Sequence, residues 1–229
     1  MWYKVNKRYV GSNFIRPVWK PNANTLLYRP LTANSNDYSW NSNNGTWYNV
    51  TSYSSDWAYF VGNNQQARIE FPHSLNPWTS FTINFWFKKT DTRSPSFLFA
   101  NWWYSYKRML FGAESWKIGL QIGNWSTSDE NWTNITTYNT SEWTNITMVR
   151  NWASVTIYKN WILAWTHTFS YNPSRWSNID GFSIMKCSWN SAWTNWPIWY
   201  FKDYIIETKL RTAQEVLDYY NQTKSSYWL

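Results

Sequence analysis

The stretch Phe81–Lys88, within SFTINFWFKK, alternates more strictly than any other part of the chain. A period of two is the signature of a strand that turns one face inward. Phe81, Ile83, Phe85 and Phe87 fall on one side, and Thr82, Asn84 and Trp86 on the other. Short runs of similar character recur at intervals of roughly 8–15 residues. They are Thr25–Leu31, Thr46–Thr51, Trp57–Val61, Arg68–Phe71, Ser96–Ala100, Arg108–Phe111, Trp116–Ile122, Asn134–Tyr138, Thr144–Arg150, Ser154–Lys159, Ile162–Phe169, Gly181–Lys186 and Ile198–Glu207. Turn-rich polar segments separate them, such as TANSNDYSWNSNNG at 32–45. No long helical period competes. The pattern predicts an all-β chain: a two-sheet antiparallel β-sandwich of jelly-roll form.

The end of that series is the second anchor. In PIWYFKDYIIETKLRTAQEV, residues 197–216, Ile198, Tyr200 and Lys202 alternate with Trp199, Phe201 and Asp203. The pair Ile205–Ile206 and a basic turn follow. Thr212 with Glu215 three residues on forms a capping box. It predicts a short C-terminal helix running through Tyr219–Tyr220, and a sheet closed by the C-terminal strand. Residues 1–24 read as a lead-in, with an edge strand at Tyr3–Val10 and a segment punctuated by Pro17 and Pro21. Residues 25–229 read as one sandwich domain.

At 229 residues the chain can bury roughly 70% of its unfolded surface in one core, so no disulfide is needed. The single cysteine, Cys187, forms no intrachain bridge. No apolar run approaches the roughly 18 residues of a membrane span. The basic N-terminus, MWYKVNKRYVGSNF, lacks the apolar region of a secretory signal. Net charge is +8, from 21 basic and 13 acidic residues. The basic residues are scattered rather than gathered into a stripe, so solvated faces are expected and a nucleic-acid partner is not.

Several passages resemble one family, in its order. The closing strand, acidic residue, apolar pair, basic turn and helix start match its C-terminal motif. DYSWNSNNGT at 37–46 resembles its loop D-x-S-G-N-x-N-N-G-T. Phe81–Lys88 resembles F-T-I-S-x-W-V-K, EWTNITMVR at 142–150 resembles x-W-x-H-I-x-x-x-R, and Ser154–Trp165 resembles the hairpin V-x-[IV]-Y-x-N-G-x-x-x-G. The chain from about 25 to 224 is thus similar to the LamG-like jelly roll of the concanavalin A-like lectin/glucanase superfamily.

Tryptophan stands where that pattern carries glycine: at Trp40, Trp161, Trp165 and Trp199. The chain has 22 Trp and 7 Gly, and glycine at about 3% is roughly half its average use. Turn-rich β proteins need more glycine than average. In Tyr158–Ile162, YKNWI, a two-residue turn joins alternating strands, and the favoured type I′ turn needs φ > 0 at both centres. Trp in the left-handed region costs about 1–2 kcal/mol. These misfits point to a gene in which UGA encodes glycine, read here as Trp. Trp86 and Trp143 lie on strands at tryptophan positions of the pattern and are expected to be authentic. Moving about 17 of the 22 would give about 24 Gly, a proportion suited to a turn-rich β protein. The competing reading is a Trp-rich surface that stacks on sugars.

For function, the resemblance implies two nearby glutamates on one strand if the chain is a glucanase. Glu70, Glu114, Glu130, Glu142, Glu207 and Glu215 are isolated, and His73 and His167 sit in no nucleophile or metal motif, so no enzyme is expected. Many members of the family hold a structural Ca²⁺. Asp37 and Asn41 of the first loop, with Asp203 of the closing strand, are the ligand types that calcium takes. The other reading makes Asp37 an Asx-turn cap and Asp203 a strand-end charge. Trp103, Tyr104 and Tyr106 are candidates for stacking on a glycan. The expectation is a non-catalytic recognition module for a glycan or surface protein, without membrane insertion, on a cell surface or particle. The alternative is a structural or adhesive component of a phage-like particle or surface assembly. Location is then extracellular or on a virion surface, without a visible secretory signal.

Overall fold

The computed structural model describes residues 9–10, 13–14, 20–31, 36–48, 52–53, 58–60, 68–72, 75, 80–90, 96–101, 109–114, 116–122, 133–169, 182–184 and 199–227. The strands, in order, begin with β1 (Tyr9–Val10), β2 (Asn13–Phe14), β3 (Thr25–Arg29), β4 (Thr46–Tyr48), β5 (Ser52–Tyr53) and β6 (Ala58–Phe60). Then come β7 (Arg68–Glu70), β8 (Ser80–Lys89), β9 (Ser96–Asn101), β10 (Met109–Glu114), β11 (Lys117–Ile122) and β12 (Thr133–Thr137). Last are β13 (Thr144–Asn151), β14 (Ser154–Lys159), β15 (Ile162–Thr168), β16 (Phe182–Ile184) and β17 (Trp199–Glu207), followed by helix α1 (Ala213–Thr223).

Two antiparallel sheets face each other. One runs β12-β11-β10-β9-β16-β7-β4, the other β15-β14-β13-β8-β17-β6-β5, with β3 paired to β17. The fold is the antiparallel β-sandwich with a short C-terminal helix that the alternation predicts. The alternating side of β8 supplies Phe81, Ile83, Phe85 and Phe87 to the core between the sheets, all at most 1% exposed. They meet Phe111, Ile118 and Leu120 of the opposite sheet in one continuous cluster. Burying each such side chain stabilises by about 1.5–3 kcal/mol.

The outer face of β8 is covered as well. Trp86 is fully buried and stacks on Tyr220 of α1, with centroids 5.5 Å apart at 18°. The helix is held there by polar contacts that begin before it starts. Thr82 donates its hydroxyl to the Lys209 carbonyl at 2.7 Å and accepts from the Arg211 amide at 3.1 Å. Glu207 and Arg211 form a buried ion pair at 2.6 Å. The capping box is present as the sequence predicts: the Glu215 amide donates to Thr212 Oγ1, and the Thr212 amide to Glu215 Oε2. Lys209 also pairs with Glu215, and that hydrogen bond is the main reason its carboxyl is held below the ordinary range.

β17 lies inside its sheet, between β8 and β6. One detail of it differs from the sequence reading: its alternation does not persist. Strict alternation would put Asp203 on the side of Phe201, whose ring is in the core. Instead Asp203 and Tyr204 both oppose Phe85, a bulge between Lys202 and Ile205, and Asp203 takes φ 48°. The extra residue returns Tyr204 and Ile206 to the core and leaves Asp203 half-buried, beside the Tyr28 hydroxyl. A carboxylate facing the core would lose its hydration without compensation.

Replacing Trp86 with Ala removes the platform under α1 and should lower unfolding free energy by about 3–5 kcal/mol in urea titration. A loss below about 1 kcal/mol would show that the helix does not depend on it.

Candidate binding surface

The loop 36–45 is built around the Asp37 carboxylate. Oδ1 accepts from the Tyr28 amide at 3.0 Å and the Ser39 amide at 2.8 Å. Oδ2 accepts from the Ser39 hydroxyl at 2.6 Å and the Asn43 amide at 2.8 Å. Asn41 Nδ2 donates to the Thr25 carbonyl at 2.7 Å, and Asn43 Nδ2 to the Leu26 carbonyl at 2.8 Å. The loop is thereby laced along β3. Gly45 closes it under tight constraint: a Cβ there would come within 2.9 Å of the Glu70 carbonyl and of Ile69, and within 3.0 Å of the Arg29 guanidinium. Arg29 in turn donates to the Asn43 carbonyl at 2.8 Å and lies over Phe71.

Asp203 is not brought to this cluster. Asp37 binds the backbone end of Tyr28, whereas Asp203 binds its hydroxyl. Burial, with the charge of Asp203, raises the Tyr28 pKa well above the usual phenol range. This geometry does not fit a calcium site made from Asp37, Asn41 and Asp203. Calcium needs six to eight oxygen lone pairs aimed at one point, and those of Asp37 are aimed at protein N–H and O–H groups. Among the described residues no group of three or more His, Cys, Asp or Glu converges on a metal position. Trp103, Tyr104 and Tyr106 lie outside the described residues, as does His73. The carboxylates seen in detail serve the fold: Glu142 accepts from Asn139 at 2.8 Å, Glu207 pairs with Arg211, and Glu215 caps α1.

Among the described tryptophans two groups stand out. Trp86 is buried, and Trp143 packs against it and Tyr220. Trp116, Trp152 and Trp161 have φ of 72°, 54° and 68°, and are 49%, 60% and 43% exposed. Each sits in a two-residue hairpin loop, because Glu114 pairs with Lys117, Asn151 with Ser154 and Lys159 with Ile162. At Asn160–Trp161 both centres have positive φ, the type I′ turn that the sequence predicts. The Asn160 side chain also accepts from the Asn145 amide at 2.8 Å. Trp152 leads its loop with the φ sign that a type II′ turn takes from glycine. Trp40, Trp165 and Trp199 are not among the left-handed residues, although Trp40 is 77% exposed. The handedness argument therefore applies to Trp161 as read, and extends to Trp116 and Trp152.

On the outer face of the eight-stranded sheet, Lys88 lies between two rings. Its ammonium is 5.7 Å from the Trp143 centroid and 5.0 Å from that of Tyr200. Lys224, capping α1, lies 5.6 Å from the Tyr220 centroid. At the end of the same sheet, β15 carries Trp165 stacked on His167, which meets Phe169 edge-on. Sequence reading passed over the Lys88 row. Its only sequence signal is the position of Lys88 two residues after Trp86, on the polar side of β8. Among the described residues no helix is long and apolar enough to cross a membrane.

No family model and no curated protein matches the chain. Solved structures do match. Domain 4 of AbnA, a GH43 extracellular arabinanase from Geobacillus stearothermophilus solved with arabinotriose, is similar with TM-score 0.65 at 16% identity, over 85% of this chain and 97% of that one. The binding domain of Paraclostridial Mosquitocidal Protein 1 is similar with TM-score 0.67 at 16% identity, over 86% and 52%. The binding domain of botulinum neurotoxin DC, solved with rat synaptotagmin II, gives 0.62 at 14%, over 87% and 52%. The chain spans about half the length of these toxin domains. The shared feature is the sandwich fold.

Replacing Trp152 or Trp161 with Gly should raise unfolding free energy by about 1 kcal/mol each, since the left-handed penalty disappears while only an exposed ring is lost. A fall in stability at both sites would contradict the turn assignment. Melting midpoints in CaCl₂ and in EDTA should coincide; a rise of several degrees with calcium would show that the Asp37 loop opens to a metal.

Proposed function

We propose that the chain is a non-catalytic recognition module whose target is a carbohydrate on a cell surface or particle. The observation that carries this reading is the match to the arabinanase domain, which this chain spans almost end to end and which was solved holding arabinotriose. The structural duties of Glu142, Glu207 and Glu215 are consistent with it, and so is an extracellular setting. A second reading, protein contact in an adhesive or phage-like assembly, is favoured by the toxin domain solved with synaptotagmin II. A glycan array probed with the full chain separates the two. Saturable binding to a defined saccharide class is expected. A blank array, with binding to a surface protein instead, would replace the first reading by the second.

The same reading includes the origin of the turn tryptophans. We infer that the source reads UGA as glycine, so that glycine belongs at 116, 152 and 161. The positive φ at all three supports this, as does the burial of Trp86. The likeness to a LamG-like domain, with glycine in the hairpin that corresponds to the Trp161 turn, is part of the same inference. The coding DNA should carry UGA at the three turns and UGG at 86 and 143; UGG throughout would end it.

A further inference from the structure

We propose that the row Trp143–Lys88–Tyr200, on the outer face of the eight-stranded sheet, binds an acidic saccharide: a sugar ring carrying a carboxylate or sulfate. The proposal rests on the carbohydrate reading above and names its ligand class and place. Tyr200 stands directly opposite Lys88 across β17 and β8, and Trp143 immediately precedes Thr144, which faces Phe87. The three side chains are half-buried neighbours, Lys88 on β8, Tyr200 on β17 and Trp143 just ahead of β13. Trp143 is fixed from behind by Trp86 and Tyr220, so the row stands on a packed base rather than a loop.

The chemistry follows from the lysine. An ammonium resting between two ring faces has already given up much of its rotamer freedom. Pairing it with an anion then forfeits less entropy than pairing a free surface lysine. The rings beside it offer rigid apolar area to the sugar's C–H groups, and Lys224 adds a second positive charge over Tyr220. Glu142, next to Trp143 in the chain, accepts a hydrogen bond from Asn139, and Asp218 of α1 accepts one from Gln214. A net charge of +8 favours approach of an anionic ligand. A neutral sugar would contact the rings yet leave the ammonium without its counter-charge, so the row selects for acid. None of this depends on a tryptophan in a left-handed turn.

The test is an array of uronate- and sulfate-bearing oligosaccharides beside their neutral counterparts and arabinotriose, followed by calorimetry on the best acidic probe. The full chain should prefer the acidic member of a pair. Lys88→Gln should weaken that probe about tenfold, as loss of one charge-assisted hydrogen bond does. It should weaken neutral sugars much less than the acidic probe, and Lys88→Arg should recover part of the loss. Equal binding to acidic and neutral sugars, untouched by Lys88→Gln, would overturn the site while leaving the carbohydrate reading intact. No binding to any sugar would overturn both. Single-stranded DNA bound as tightly, with the same Lys88→Gln loss, would replace the saccharide by a general polyanion.

Discussion

Strand β8 is enclosed on both faces, and much of the sandwich serves to keep it so. Its inward phenylalanines need the opposing sheet, while Trp86 on the outward side needs α1. That second requirement explains why the chain's end is so heavily tied down. Thr82 holds the turn ahead of the helix, the Glu207–Arg211 pair is buried beneath it, and the capping box fixes where it starts. A helix of 11 residues is marginal in isolation, so its stability must come from the face it buries. Helix and strand therefore stand or fall together.

Backbone handedness is the second constraint. Short antiparallel hairpins follow the right-handed twist of their strands, and two-residue loops meet that twist only with left-handed centres. Three such loops carry an exposed indole where glycine has no steric penalty. Trp86 and Trp143 show the contrasting case, in which the ring is packed and the backbone ordinary. One residue type thus occupies two incompatible environments in one molecule. The packed rings are stabilised by burial, whereas each turn ring carries the left-handed cost of about 1–2 kcal/mol that glycine would avoid.

Most strands were legible because alternation is a local property. β8, β13, β14 and β15 fall within a residue or two of their expected limits, and the Thr212 cap and Asn160 turn are local patterns too. What escaped the sequence depends on partners far along the chain. The Asp203 bulge answers to Phe85 across the sheet, and β17 finds its place between β8 and β6 only when the strands assemble. The loop at Asp37 shows the same limit for sites. Its residue types were those that calcium takes, but the direction of each oxygen is set by amides that the sequence does not locate. The Lys88 row likewise arises where β8, β17 and the residue ahead of β13 meet.

The most direct measurement is peptide mass spectrometry on the protein isolated from its own source. The account predicts glycine at position 161 and tryptophan at positions 86 and 143. An indole at 161 in that material would contradict it, and would mean that the strained turn is the one this protein uses.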